Sequence, residues 1–274
     1  MSKHDIRVLA LDLDGTLTNS EKKITPRTMA ALKAAMAQGV AIVLASGRPT
    51  VGIEPVAKQL DLYRHGGYIL SYNGGTIVDC KTGDILHQNE FPAPMIGTLC
   101  AFAKAQDVAV LSYNDDGVIC ERPQDEWALK ECEINKIPMI GVENLASYID
   151  YPISKMLLTL APARMDAVEA ALATQCKGQI DVYRSCAFFI EAVPCGVAKD
   201  ASLAVLLAKL GFTRAQLMAC GDGMNDRSMI AFAGVGVAMQ NAEDAVKAVA
   251  DYVTPADNDH DGVAQAIEQF ILGF

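Results

Sequence analysis

Short apolar runs alternate with helix-like stretches over residues 6–82, and this alternation resumes near residue 197 and continues to the end of the sequence. The first apolar runs are "IRVLALDL", "VAIVLAS" and "YILSY". Apolar runs of this kind indicate strands that are covered on both faces, as in a parallel sheet. The alternation therefore predicts an α/β fold built on a doubly wound, Rossmann-like parallel sheet.

The stretches between these runs carry the signals of helix ends. The first, "TPRTMAALKAAMAQG", has Pro26 near its start and Gly39 at its end, as helices commonly do. The second, "PTVGIEPVAKQLD", is helix-like but is interrupted at Pro55. In the last part of the chain, the predicted strands are "QLMAC", "VGVAM" and "DYVT", and the predicted helices are "VAKDASLAVLLAKLG", "NDRSMIAFAG", "AEDAVKAVA" and "GVAQAIEQFIL".

The middle of the chain has a different sequence pattern. Prolines occur there at positions 92, 94, 123, 138, 152 and 162. Predicted strands such as "SKMLLTL" and "AFFIEAV" are mixed with helices such as "ARMDAVEAALATQ". We expect residues 84–190 to form a second α/β unit inserted into a core made of residues 1–83 and 191–274, with hinges near 82–86 and 190–197.

Charge and composition exclude several classes of partner. The formal net charge is −10, and 51% of the residues are hydrophobic. A strongly acidic chain is a poor ligand for nucleic acid or for an anionic membrane surface, so neither is expected as a partner. The sequence shows no apolar run of transmembrane length, its start "MSKHDIR" lacks the apolar core of a signal peptide, and its 8 cysteines are scattered. These features predict a cytoplasmic protein with reduced thiols.

Two pairs of acids follow two predicted strands. Asp12 and Asp14 end the first strand, and Asp222 and Asp226 follow "LMAC" within "GDGMND". Because ligands bind beyond the carboxyl ends of the strands in a doubly wound sheet, we expect the four carboxylates to converge at one edge. Four such acids cannot all stay ionised without a cation. Oxygen ligands with no histidine nearby favour Mg²⁺ over zinc.

Three further features have both a functional and an ordinary interpretation. Ser46, Gly47 and Arg48 follow the second strand and precede a helix, where backbone N–H groups and a hydroxyl form an anion site, although Ser-Gly is also common in loops. Lys199 lies in the first turn of a helix, where a cation is unfavourable unless an anion is near. Asn73, in "SYNGG", belongs either to a site or to an ordinary hairpin turn.

The motifs "DLDGTLT", "SGR", the lysine of "GVAKD" and "GDGMND" resemble, in order and spacing, the four signatures of the haloacid dehalogenase superfamily of phosphohydrolases. The long insert, "YNGG", "GVGVAMQNA" and "DGVAQAIE" are similar to the Cof-type, YidA-like sugar-phosphate phosphatases of that superfamily. The resemblance covers the whole chain. It implies that the insert is an α/β cap of the C2B type (subfamily IIB) and that the substrate is a small phosphorylated metabolite.

The resemblance also implies a role for each matching residue. Asp12 would be the nucleophile that forms an aspartyl-phosphate, and Asp14 the general acid and base. Mg²⁺ would be held by the Asp12 side chain, the Asp14 backbone carbonyl and Asp222, with Asp226 in support. The residues that would bind the phosphoryl group or border the substrate are Ser46, Lys199, Gly15, Thr16, Gly47, Arg48, Asn73 and Asn225.

Two motifs depart from the family pattern. Ala198 and Asp200 flank the lysine where the family has serine and glycine, and Met224 stands where it has glutamate. Neither change removes a catalytic group. Asp200 would weaken phosphate affinity, and Met224 would alter what the pocket admits.

The segment "DNDHDGVAQAIE" at 257–268 matches a calcium-loop pattern. An EF-hand needs a helix entering the loop, and here a strand ending at a proline precedes it. The acids are therefore interpreted as the start of a helix beginning near Gly262.

The resemblance leaves several questions open. Tyr113, Arg122, Trp127 and Lys155 are candidates for substrate contacts in the insert, although an ordinary surface or packing role is favoured for each. Besides the phosphatase, a phosphomutase of the same superfamily, a receiver-type domain and a non-catalytic metabolite-binding protein remain as alternatives. Both a monomer and a homodimer are compatible with the sequence.

Overall fold

The computed structural model describes residues 5–273. The strands are β1 (Val8–Leu11), β2 (Ala41–Ala45), β3 (Tyr68–Ser71), β4 (Thr76–Asp79), β5 (Ile85–Gln88), β6 (Ala109–Asn114), β7 (Gly117–Cys120), β8 (Met139–Gly141), β9 (Met156–Thr159), β10 (Ile180–Cys186), β11 (Phe189–Pro194), β12 (Leu217–Gly221), β13 (Val235–Ala238) and β14 (Tyr252–Val253). The helices are α1 (Pro26–Ala37), α2 (Thr50–Gln59), α3 (Leu62–His65), α4 (Ala93–Gln106), α5 (Glu126–Asn135), α6 (Leu145–Tyr148), α7 (Met165–Gln175), α8 (Lys199–Leu210), α9 (Arg227–Phe232), α10 (Asp244–Lys247) and α11 (Gly262–Ile267), which continues as a π-helix over Glu268–Leu272.

The chain divides into two units. The first contains the chain up to Gly47, Ile53–His87 and the chain from Ala198 onward, and the second contains Arg48–Gly52 and Gln88–Val197. Both boundaries of the insert lie a few residues later than the 83/84 and 190/191 expected from the sequence. The reason is that β5 extends the sheet of the first unit, whereas β11 is an inner strand of the sheet in the second unit.

The sheet of the first unit joins eight strands in the order β14-β13-β12-β1-β2-β3-β4-β5. The strands from β14 to β3 are parallel, and β4 returns antiparallel to β3. In this register Leu11 at the end of β1 lies opposite Cys220 on one neighbouring strand and Leu44 on the other. The residues that follow these three strands are thereby brought together at one edge of the sheet.

Helices cover this sheet, with α1 packed against α11 and α8 against α9. Pro26 occupies the first turn of α1, as predicted from the sequence, and Thr25 caps the helix by accepting a hydrogen bond from the Thr28 N–H. Every residue of β1 and β12 is buried, which explains their uninterrupted apolar sequences. The predicted α/β fold with a doubly wound parallel sheet is confirmed.

The second unit has its own sheet, in the order β10-β11-β9-β6-β7-β8, and its own core. Its strands pair antiparallel except β7 and β8. Residues from α4, α7 and one face of the sheet form the core, among them Leu99, Leu158, Leu172 and Ile190. This unit therefore buries an apolar interior independently of the first.

The structure also bears on the cysteines and on membrane insertion. All eight cysteines are free thiols. Over residues 5–273, no helix has both the length and the apolar character needed to cross a membrane.

Candidate active site

Three aspartates meet at the edge of the sheet where β1 and β12 end. Asp12 directly follows β1, and Asp222 and Asp226 follow β12, with Asp226 in a 3₁₀ turn formed by Met224–Asp226. The Asp12 N–H donates to the Cys220 carbonyl at 3.0 Å and so continues the pairing of the two strands. Carboxylate oxygens of the three aspartates lie within 4.8 Å of one another. The convergence expected from the sheet order therefore holds for these three acids.

Lys199, the first residue of α8, extends its side chain into this cluster. Its ammonium donates to Asp12 Oδ1 at 2.7 Å, to Asp226 Oδ1 at 2.6 Å and to the carbonyl of Ala45 at 2.8 Å. The side chain has no solvent exposure. A lysine at a helix start is unfavourable by itself, but here two buried carboxylates compensate for it.

The electrostatics of the cluster are unbalanced, because one lysine cannot neutralise three carboxylates. Burial, followed by the Asp226 charge, raises the pKa of Asp12, and Lys199 opposes this shift. Burial alone would lower the pKa of Lys199, but Asp12 and Asp226 outweigh it and raise that pKa. Burial is also the main reason that the pKa of Asp222 rises from 3.8 to about 6. The cluster consequently favours a further positive charge.

Neighbouring groups hold the aspartates in place. The Thr16 hydroxyl donates to Asp222 Oδ1 at 2.6 Å. Asp226 Oδ2 accepts from the N–H groups of Asp222 and Gly223, each at 3.0 Å. These bonds leave other carboxylate oxygens of the cluster for a ligand, and an all-oxygen set of this kind suits a hard divalent cation.

Asp14 lies apart from this cluster of carboxylates. Its Oδ1 accepts from the Lys22 ammonium at 2.6 Å, and its side chain is 37% exposed. Strand β1 ends at Leu11, so Asp14 lies in the loop after it, where it forms an isolated β-bridge with Thr18, rather than at the end of the strand as predicted.

Ser46, Gly47, Asn73 and Asn225 are brought close together. The Asn73 N–H donates to the Ser46 carbonyl at 2.9 Å, and the Asn225 amide donates to Asn73 Oδ1 at 3.1 Å. A Cβ on Gly47 would lie 3.0 Å from the Asn73 amide nitrogen. Asn73 has a left-handed φ of 56° in the turn between β3 and β4. It is therefore a hairpin-turn residue that also contacts the loops after β2 and β12.

Arg48 belongs to the short segment Arg48–Gly52 of the second unit, where its guanidinium donates to the Gly52 carbonyl at 3.4 Å. The four candidates of the insert also have partners in that unit. These are Glu131 for the Tyr113 hydroxyl, Asp107 for Arg122, the Phe188 ring for Trp127 and Glu191 for Lys155. Such contacts agree with the ordinary surface or packing role favoured for them.

Sequence reasoning missed three contributors to the site. The Ala45 carbonyl binds Lys199, the Asn241 amide donates to the Gly15 carbonyl at 2.8 Å, and Lys22 pairs with Asp14. Asn241 lies in the stretch "GVGVAMQNA", which carried part of the resemblance, so a signal was present for it. A backbone carbonyl and a lysine in a charged loop give no comparable signal.

Comparison with known proteins places the chain in a family. The family model of haloacid dehalogenase-like hydrolases matches residues 9–267. A haloacid dehalogenase-like hydrolase from Bacteroides thetaiotaomicron has 42% identity and a TM-score of 0.93, with 96% of this chain and 99% of that chain covered. The subclass IIB sugar phosphatase BT4131 has 25% identity and a TM-score of 0.79, with 96% and 98% covered.

A curated relative, the 5-amino-6-(5-phospho-D-ribitylamino)uracil phosphatase YcsE of Bacillus subtilis (strain 168), is 29% identical over 98% of this chain and 97% of its own length. The chain therefore belongs to the haloacid dehalogenase-like hydrolases. The predicted enzyme class, a phosphatase of this family, is confirmed.

Gly15 provides a direct test of the cluster geometry. Its φ is +81°, and a Cβ there would lie 2.4 Å from Asp222 Oδ2. Gly15→Ala is expected to displace Asp222 and to lower kcat on the order of 100-fold, the effect of misplacing a reacting group by about 1 Å. Steady-state hydrolysis of p-nitrophenyl phosphate measures this loss.

Gly39→Ala is the matched control for this prediction. Gly39 has nearly the same φ, +84°, but nothing lies within 4 Å of its added Cβ. It should lose roughly 1 kcal/mol of stability from the left-handed backbone and retain activity. Equal activity losses in the two variants would contradict a specific role for the Gly15–Asp222 contact.

Proposed function

We propose that the protein is a Mg²⁺-dependent phosphatase of small phosphorylated metabolites, sugar phosphates in particular, which acts through an aspartyl-phosphate on Asp12. The observation that carries this proposal is the buried contact of Lys199 with Asp12 and Asp226, beside Asp222. A carboxylate that is to attack an anionic phosphate needs cations around it. The cluster provides one cation, Lys199, and its excess of carboxylates attracts a second.

The names of related proteins support the substrate class. YcsE is named for a phosphorylated ribitylamino compound, and BT4131 for sugar phosphates. In both cases the substrate in the name is a small phosphorylated molecule with a polyhydroxylated chain or ring. We extend that class to this chain, and a screen has to identify the individual substrate.

In the first half of the proposed reaction, an oxygen of Asp12 forms a bond to phosphorus as the bridging oxygen leaves. Asp14 gives its proton to that oxygen, so the product departs as an alcohol. Lys199 and Ser46 bind the phosphoryl oxygens, and backbone N–H groups around Gly15 and Thr16 contribute.

In the second half, water attacks phosphorus and gives its proton to Asp14, the bond to Asp12 breaks, and inorganic phosphate leaves. Gly47, Arg48, Asn73 and Asn225 would border the substrate.

Asp12, Asp222 and the backbone carbonyl of Asp14, supported by Asp226, would hold the metal ion. When bound, Mg²⁺ supplies positive charge that screens the carboxylate from the phosphate and orients the two. We also propose that the second unit acts as a cap that selects the substrate.

A screen of phosphorylated metabolites for phosphate release, with and without EDTA, tests this function. We expect release from several sugar phosphates, loss with EDTA and recovery on adding excess MgCl₂. Release that is insensitive to EDTA would contradict the metal requirement. Absence of release from every phosphate monoester, with the fold intact by circular dichroism, would contradict the phosphatase.

The pKa shifts also predict how metal binding depends on pH. The folded, metal-free protein keeps protons on Asp12 and Asp222 that the unfolded chain has already lost, because both pKa values are raised. The free energy of unfolding of the metal-free protein therefore falls as pH rises through the folded pKa values, because the crowded carboxylates then ionise. MgCl₂ should therefore raise Tm more at about pH 8 than at about pH 5. Each kcal/mol that metal binding adds to the free energy of unfolding should raise Tm by roughly 2 to 4 °C. Equal increments at both values would contradict this prediction.

A further inference from the structure

The acid-rich segment 257–261 binds other parts of the first unit through its side chains. Asp259 accepts from both the N–H and the hydroxyl of Ser20, each at 2.7 Å. Asp261 accepts from the Thr25 hydroxyl at 2.5 Å, and the Asn258 amide donates to the Thr18 carbonyl at 2.9 Å. The segment is thus fastened to the loop that follows Asp14.

That loop has a defined shape. The Lys22 N–H donates to the Asn19 carbonyl at 2.8 Å, and Asn19 Oδ1 accepts from the N–H groups of Glu21 and Lys23. Lys22 has a left-handed φ of 60°, which is uncommon for a residue with a side chain. In this conformation the two adjacent lysines have different partners. Lys22 pairs with Asp14, whereas Lys23 pairs with Glu21.

We propose that Lys22 is a positioning residue for Asp14, and that segment 257–261 supports it by holding the loop that carries it. The carboxylate that moves a proton must lie within hydrogen-bond reach of the reacting oxygen. Lys22 binds Oδ1 of a side chain that is 37% exposed, and this contact helps to orient the whole carboxylate, including Oδ2. This inference rests on the acid and base role proposed for Asp14.

The test exploits leaving groups that differ in their need for a proton. An alkoxide leaves with the proton of Asp14, whereas p-nitrophenolate is stable enough to leave without one. The parameter kcat/KM reports the steps up to the first phosphoryl transfer. Lys22→Met should therefore lower kcat/KM about threefold to fivefold for the best sugar phosphate of the screen, the range expected for an exposed ion pair. It should leave kcat/KM for p-nitrophenyl phosphate nearly unchanged.

Lys23→Met is the matched control, since it removes an equal charge from the same loop. It should leave both substrates unaffected, and Lys22→Arg should restore most of the loss. If Lys22→Met lowers kcat/KM equally for both substrates, or behaves as Lys23→Met does, the positioning role is wrong. Asp14→Asn, measured alongside, separates this result from failure of the proposed function, because that variant should lose the sugar phosphate activity itself.

Asp259→Ala tests the supporting role of the acid-rich segment. It should lower kcat/KM for the sugar phosphate but not for p-nitrophenyl phosphate, as Lys22→Met does, and by a smaller factor. Because Asp259 acts through Lys22, the double variant should lose no more than Lys22→Met alone. Additive losses would show that Asp259 acts independently and would contradict this part of the proposal.

Discussion

Asp12→Asn is expected to lower phosphate release by a factor on the order of 10⁵, comparable to the loss of a nucleophile in other enzymes. The asparagine has nearly the same shape, so the fold should persist. It also removes one of three crowded carboxylates, two of which, Asp12 and Asp222, have raised pKa values. In EDTA at about pH 8, Tm should therefore stay constant or increase. Steady-state phosphate release and thermal unfolding measure the two effects.

A trapping experiment provides the control for Asp12→Asn. With Asp14→Asn, p-nitrophenyl phosphate should still transfer its phosphoryl group, but water is no longer deprotonated for the second step. A phosphoryl adduct should then accumulate and be found by mass spectrometry on the peptide containing Asp12. An adduct on another residue, or release retained by Asp12→Asn, would contradict the mechanism.

Much of the fold and the central cluster could be predicted because both depend on repeated, local rules. Parallel strands end at one edge of a sheet, so acids after β1 and β12 had to approach each other. A second local rule, that acids are favoured at a helix start, placed the start of the last helix near Gly262, where α11 begins.

Other elements were not predictable because their sequences are short or polar. The strands β4 and β5 have four residues each, and β5 carries His87 and Gln88. They are held by pairing with neighbours rather than by an apolar pattern. The closing helix was predicted as one element, but its second half is a π-helix.

The environment of Asp14 shows most clearly where sequence reasoning ends. The run "NSEKKI" contains two adjacent lysines, and composition gives no reason to choose between them. The hydrogen bonds of Asn19 and the left-handed backbone at Lys22 decide which one reaches Asp14. Ser20 and Asp259, which fix this loop, are 239 positions apart, a distance over which no local pattern operates.

Lys199→Met should reduce both activity and stability. It leaves Asp12 and Asp226 without their buried cation, and breaking a buried ion pair typically costs about 3 to 5 kcal/mol. Loss of a preorganised charge at the phosphoryl group should lower kcat by about 10² to 10³. Lys199 lowers the pKa values of Asp12 and Asp222, so both rise further without it, and protonation then relieves the repulsion. The stability loss should thus be smaller at about pH 5 than at about pH 8.

Lys209→Met is the matched control, since Lys209 is an exposed residue in the last turn of the same helix. Removing a cation there should cost about 1 kcal/mol or less, the contribution of the helix dipole. Adding Asp226→Asn to Lys199→Met should recover part of the stability by removing an unpaired buried charge, without restoring turnover. If Lys199→Met costs no more than Lys209→Met at high pH in EDTA, the buried carboxylates are not ionised together. The cluster would then have no need of a metal ion, and the charge argument for its function would fail.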